Sequence, residues 1–203
     1  MPTVLLFLKF PEPGRVKTRL AKTVGAELAA AIYQRLVAAV IARVPGEMEL
    51  VGLFDPPEKA GEVEQWMRRM APERSLKLLP QAAGDLGRRL DQAFADAFAA
   101  GAGRVLVIGS DCVELDAAIF AEAGQALADC DLVVGPSEDG GYYLIGLQAP
   151  HPELFTGIDW STRQVLAQTL VRAERARLRV HLLPKLPDVD TEEDWRRAES
   201  RLQ

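Results

Sequence analysis

The stretch 104-RVLVIGSDCVELD-116 decides the fold. Val105 to Ile108 form a continuous apolar run instead of an alternating one, the pattern of a strand covered by helices on both faces. Gly109 then frees the backbone. Ser110 and Asp111 follow at the carboxyl end of that strand, where ligands bind in open α/β sheets because the surrounding loops form a crevice. Asp111 is therefore a candidate metal ligand, with a turn or helix-capping role as the local alternative.

Working outward, Val4–Phe10, Glu49–Phe54, Leu76–Leu79, Leu132–Gly135, Tyr142–Leu147 and Val180–Leu183 also read as strands. Between them lie helical patterns at Gly25–Val44 and Glu58–Met70, one led by Leu90, Phe94, Ala97 and Phe98, and another from Asp116 to Ala128. Strands alternating with helices predict one three-layer α/β/α domain over residues 1–203, with a mainly parallel mixed sheet. The length suits one sizeable core.

A hydrophobic fraction of 48% with 26% charged residues excludes a disordered chain. The formal net charge of -5, without a basic and aromatic stripe, argues against a nucleic acid polymer as partner. Cys112 and Cys130 belong to no CxxC or Cys/His cluster, so neither a zinc site nor a disulfide framework is expected, and a reducing cytoplasm fits. Lys9 interrupts the first apolar run too early for a signal peptide or a membrane span.

The first strand runs into Pro11-Glu12-Pro13-Gly14, whose two prolines and glycine force an ordered loop. Lys9, Arg15, Lys17 and Arg19 surround this loop and the start of the following helix. Loop N–H groups, a helix start and clustered cations suit a phosphate, although a solvated basic turn would have the same composition. The spacing is neither a Walker A loop nor GxGxxG.

Gly84 and Gly87 flank Asp85, where backbone could approach a ligand or Asp85 could cap the next helix. Asp139-Gly140-Gly141 has the chemistry of a tight turn needing positive φ, and with Tyr142 and Tyr143 it also resembles a sugar-binding surface. Trp160 precedes Ser161 and Thr162, one of which is expected to cap a helix ending near Ala176. Thr191 and Asp194 have the spacing of a capping box for a last helix. Asp190, just before the cap, has no such local explanation and is a second candidate metal ligand.

Six segments in order, KFPEPGRVKTRL (Lys9 to Leu20), GDLGRRL (Gly84 to Leu90), GSDCVEL (Gly109 to Leu115), EDGGYYLIGL (Glu138 to Leu147), WST (Trp160 to Thr162) and DVDTEEDW (Asp188 to Trp195), carry a resemblance over nearly the whole chain. Together they resemble a bacterial family classed as glycosyltransferases with the GT-A, nucleotide-diphospho-sugar transferase fold. The resemblance implies a transferase taking a nucleotide-sugar or nucleotide substrate. Lys9, Gly14, Arg15, Lys17, Arg19, Asp85 and Gly87 would bind the nucleotide and its phosphates, the basic loop holding the diphosphate, and Asp111 and Asp190 would hold a divalent cation, Mg2+ or Mn2+. Asp139 would be the catalytic candidate, for acceptor activation or sugar binding, with Gly140, Gly141, Tyr142 and Trp160 at the sugar or acceptor. Two departures stand out: Val113 replaces the proline usual after Ser-Asp-Cys, and Ser110-Asp111 is not a full DxD. The same fold also hosts nucleotidyl transfer, and a nucleotide-binding module without catalysis is the third alternative. A Pro-rich loop in place of a glycine-rich LxGGxxxRMG type disfavours nucleotidyl transfer.

Overall fold

The computed structural model describes residues 1–201. Seven strands, β1 (Thr3–Lys9), β2 (Leu50–Asp55), β3 (Lys77–Pro80), β4 (Val105–Ile108), β5 (Leu132–Pro136), β6 (Tyr142–Leu147) and β7 (Val180–Leu182), form one sheet in the order β3-β2-β1-β4-β6-β5-β7. β1 pairs in parallel with β2 and β4, β2 with β3, and β5 with β7; β6 alone runs antiparallel, between β4 and β5. The sheet is therefore the mainly parallel, mixed one expected from the alternating pattern.

β4 lies in the middle of this sheet, and its four residues are all buried, Val105 and Leu106 completely. Alternate side chains of a strand point to opposite faces, so Leu106 and Ile108 enter one hydrophobic cluster and Val105 and Val107 the other. Helices α2 (Ala26–Arg43), α3 (Ala60–Met70) and α5 (Ala117–Ala126) cover the first face; α4 (Leu86–Ala99) and α6 (Val165–Arg175) cover the second. A fully buried Leu such as Leu106 contributes roughly 1.5–3 kcal/mol through removal of apolar surface from water. A third cluster joins α2 to two short helices, α1 (Thr18–Val24) and α7 (Glu192–Glu199), through Leu20, Ile32, Leu36, Val113, Val189 and Trp195. Val113, the departure from the family pattern, is thus a packing residue.

Two local readings need correction or refinement. The basic junction leads into the separate helix α1, and only then, across Gly25 at φ 86°, into the long helix α2. The cap position of α6 is Gln164, beyond both Ser161 and Thr162; the Thr162 hydroxyl donates to the Asp159 carbonyl and accepts from Gln164 N–H at 3.2 Å, at the turn that leads into the helix. Ser161 stands at φ 64°, a left-handed turn position unlike that of a capping residue. The expected capping box does form, with the Thr191 Oγ1 accepting from Asp194 N–H and the Asp194 carboxylate accepting from Thr191 N–H. No helix of the described residues is long and apolar enough to cross a membrane.

Candidate functional site

The carboxyl ends of β1 and β4 adjoin because the strands pair in parallel, Leu6 opposite Ile108. Each chain exit supplies one half of a cleft. The exit from β1 becomes the basic loop, and the exit from β4 becomes the Ser110-Asp111 turn. The residues following β5 and the segment before α7 close the other side. The resulting cleft has a volume of about 750 Å³ and is lined by Lys9, Arg15, Lys17, Arg19, Asp85, Asp111, Asp139, Tyr142, Trp160 and Asp190, all singled out from the sequence. Asp188 and Arg89 line it as well.

Lys17 occupies the centre of the polar wall. It is a non-glycine residue in the left-handed region, φ 45° and ψ 48°, a conformation that costs of order 1 kcal/mol and persists only where its surroundings demand it. That backbone turn accompanies a buried side chain, only 5% exposed, whose Nζ lies 2.5 Å from Asp111 Oδ2 and 3.4 Å from Asp190 Oδ1. Burial works against the charged ammonium, but Asp111, and then Asp190, more than offset it, so the Lys17 pKa is raised. Burial likewise opposes the Asp111 carboxylate, yet Lys17 and a hydrogen bond from Ser110 hold its pKa below the ordinary value. Arg19 donates to the other oxygen of Asp190 at 2.9 Å.

Asp190 reaches this pair because its segment is stitched to the β4 turn. Val189 N–H donates to the Asp111 carbonyl at 3.3 Å, and the Val189 side chain is buried. In an extended segment the residues on either side of a buried one share the opposite direction, so Asp188 and Asp190 both face the cleft. Asp139 joins them from the turn after β5: ligand oxygens of Asp139, Asp188 and Asp190 all lie within 4.8 Å of one another. Burial, and then the charges of Asp139 and Asp190, push Asp188 up to about 6. Asp139 is oriented by its own turn, its Oδ1 accepting from Ser137 Oγ at 2.5 Å and from Gly141 N–H at 2.9 Å. Gly140 at φ 92° permits that turn, and its carbonyl accepts from Leu166 N–H, which anchors the start of α6.

Other singled-out residues serve the frame. Asp85 is the N-cap of α4, accepting from Arg88 N–H at 2.9 Å, while its exposed side reaches the cleft. Gly87 is buried where a Cβ would lie 2.6 Å from the Phe155 carbonyl oxygen and from Trp160 Nε1, so it allows close packing and holds the Trp160 ring beside the cleft. Gly14 at φ 80° turns the basic loop in open space. The two phenols diverge because they alternate along β6. Tyr143 donates to the Pro184 carbonyl at 2.9 Å, and the Tyr142 hydroxyl is buried with no hydrogen-bond partner among the described residues.

Sequence reasoning missed Asp188, Arg89, Gln81 and Tyr33. For Asp188 a signal existed: Asp188-Val189-Asp190 is itself a DxD spacing, with its middle residue apolar. Gln81 Nε2 donates to the Leu8 and Leu53 carbonyls, and its Oε1 accepts from Arg89, which tie the ends of β1 and β2 to α4. Only the sheet order brings those groups together.

A seven-stranded mixed α/β sheet with this cleft at its carboxyl end defines the nucleotide-diphospho-sugar transferase-like and nucleotidyltransferase-like class of fold. Residues 48–162 match the model of a family described as an uncharacterized protein conserved in bacteria (DUF2064), and the chain belongs to that family. No curated protein matches the sequence. Among solved structures, a protein from Desulfovibrio desulfuricans G20, provisionally assigned as a nucleotide-diphospho-sugar transferase, is 36% identical with a TM-score of 0.83 over 94% of this chain and 84% of that one. The 4-diphosphocytidyl-2C-methyl-D-erythritol synthase of Anaerococcus prevotii DSM 20548 shares the fold at 9% identity, TM-score 0.62, over 100% and 99% of the chains. A manganese complex of Rv0371C from Mycobacterium tuberculosis H37Rv does so at 14% identity, TM-score 0.52, over 97% of each chain.

Proposed function

We propose that the protein is a metal-dependent transferase that takes a nucleotide-diphospho-sugar donor and transfers its sugar. The observation that carries this reading is the convergence, in one cleft, of the Lys17/Arg19 wall with the Asp139, Asp188 and Asp190 oxygens. The relative from Desulfovibrio desulfuricans, at 36% identity, supports the sugar-donor class.

The donor set fits a divalent cation. Three carboxylates close together repel one another, and a hard ion such as Mg2+ or Mn2+ accepts oxygen ligands from few protein groups while keeping waters for substrate to displace. Asp139, Asp188 and Asp190 would hold it, and when bound it would stabilise negative charge on a leaving diphosphate. In this reading Asp111 anchors Lys17, and Asp139 serves the cation in place of the acceptor-activating or sugar-binding role that the resemblance implies.

The charged side chains lining the cleft are balanced, with Lys9, Arg15, Lys17, Arg19 and Arg89 facing Asp85, Asp111, Asp139, Asp188 and Asp190. A diphosphate brings several further negative charges, which a cation beside the three aspartates would offset. Lys9 is exposed and makes no ion pair among the described residues, so it meets an incoming phosphate without first breaking a contact. Arg19 and Lys17, oriented by Asp190 and Asp111, bring positive charge to the leaving oxygen, where preorganised donors act most strongly. Tyr142 and Trp160 give the cleft an apolar side suited to the face of a sugar ring.

Titration calorimetry with UDP, GDP and CDP, with and without Mn2+, tests this reading. Binding of at least one nucleoside diphosphate that strengthens with the ion is expected, and no metal-dependent binding of any of them would sink it. Product analysis then separates sugar transfer, which releases a nucleoside diphosphate, from nucleotidyl transfer, which releases pyrophosphate from a triphosphate.

A further inference from the structure

Tyr33, midway along α2, is 4% exposed, yet its hydroxyl is placed among polar groups at the floor of the cleft. Its oxygen accepts from Lys9 N–H at 2.8 Å and lies 3.2 Å from Ser110 Oγ; Ser110 Oγ in turn lies 3.0 Å from Asp111 Oδ1. The proton assignments follow from what each group can do. The Lys9 amide can only donate and the Asp111 carboxylate can only accept. Tyr33 O–H therefore donates to Ser110 Oγ, and Ser110 O–H donates to Asp111. Burial pushes the Tyr33 phenol up to about 12, so that proton stays in place at neutral pH.

We infer that Tyr33 and Ser110 form a one-directional hydrogen-bond chain, Lys9 N–H to Tyr33 to Ser110 to Asp111, that positions the Asp111–Lys17 pair. The inference rests on the proposed function only in giving that pair a diphosphate to meet. The chain joins the two halves of the cleft, since Lys9 is the last residue of β1, before the basic loop, and Ser110 opens the turn after β4. With Oδ1 of Asp111 held by Ser110, Oδ2 is the oxygen left to face Lys17, at 2.5 Å. Tyr33 also packs against Trp66, ring centroids 6.4 Å apart, so a phenylalanine keeps the packing and removes only the link. It is a positioning residue, acting on substrate through Asp111 and Lys17.

The test reads Lys17 directly in the ligand-free protein. With 15N-labelled lysine, the Lys17 ammonium, buried and ion-paired, is expected to give a slowly exchanging NMR signal, assigned by its loss in Lys17→Arg. Tyr33→Phe and Ser110→Ala should each raise its proton exchange rate about tenfold, the ratio equivalent to one net hydrogen bond, and the double variant no further. Thermal melting controls for a merely structural role, which lowers stability without moving the Lys17 signal. Should Tyr33→Phe fail to fold, Ser110→Ala reads the same link. Unchanged exchange in Ser110→Ala, or effects that multiply in the double variant, would overturn the chain. Pyrophosphate titration of the same proteins separates the two ideas: a wild-type protein that takes up no pyrophosphate counts against the diphosphate reading, while the exchange rates still decide the chain.

Discussion

Lys17→Met removes the one ammonium that faces both Asp111 and Asp190. The methionine is nearly isosteric with the lysine stem, so packing is kept and the charge is the perturbation. Breaking a buried ion pair from one side costs about 3–5 kcal/mol because the partner is left uncompensated. Here the partners are not fully buried: the Asp111 and Asp190 side chains are 38% and 30% exposed, and Asp190 keeps Arg19. Both can recover some water, so about 2–3 kcal/mol is expected. For a chain of 203 residues this is a fall in melting temperature of roughly 4–12 °C. The complementary change Asp111→Asn strands the ammonium, whose second partner is 3.4 Å away, and should cost a similar amount. Combining the two leaves neither charge stranded, so the double variant should be more stable than the sum of the singles predicts by about 1.5–3 kcal/mol. Urea unfolding of the four proteins at pH 7 and fixed salt measures this coupling. Additive single effects would refute the claim that Asp111 and Lys17 are bound to one another, and with it the reading of Asp111 as the anchor of Lys17.

Three other predictions address separate parts of the molecule. Asp188→Asn should weaken Mn2+ binding by at least tenfold in direct metal titration while raising the melting temperature, because it relieves repulsion among three neighbouring carboxylates; a lower melting temperature with unchanged metal affinity would make Asp188 structural. Asp131 accepts from Arg179 N–H at 2.8 Å and from its guanidinium, and Arg179, the main cause, pulls its pKa down to about 2. A depressed carboxylate pKa gives stability that is complete above the unfolded value of about 4 and lost as pH falls toward 2, so the gap between wild type and Asp131→Asn, roughly 1–2 kcal/mol after solvent screening, should close over that window. A gap that stays constant down to pH 2 would rule the linkage out. Gly87→Ala places a methyl 2.6 Å from the Phe155 carbonyl and Trp160 Nε1, and about 1–3 kcal/mol of overpacking with a changed tryptophan emission is expected; wild-type stability and emission would show that the α4 contact is loose.

The extent to which the sequence spoke for the site differs from residue to residue. Continuous apolar runs and their spacing identify the strands, because a strand buried on both faces has no polar side to interrupt the pattern. The capping box at Thr191 and the N-cap at Asp85 were legible for a similar reason: a cap acts over three residues, and three residues are visible in any chain. The short helix α1 was not, since its seven residues carry two basic side chains besides Arg19's neighbours in the loop and bury only Leu20, too little periodicity to separate from the basic turn. Ser161 and Thr162 were plausible caps by composition alone, and the φ of 64° at Ser161, which only the folded chain fixes, places the helix start further on.

By itself, the sequence determined a mainly parallel α/β sheet, the strand end that offers Asp111, the basic loop after the first strand and the odd carboxylate at Asp190. These are local properties, set by side-chain periodicity and by what each residue needs within a few positions. Only the tertiary structure decided who partners whom. Lys17 and Asp111 are 94 positions apart and Lys17 and Asp190 are 173 apart, so their pairing depends on β1 lying beside β4 and on Val189 closing against the Asp111 turn. That geometry makes Asp111 the anchor of a buried ammonium, and it gathers Asp139, Asp188 and Asp190 beside it, because charges recognise one another through space and the chain order carries no record of that distance.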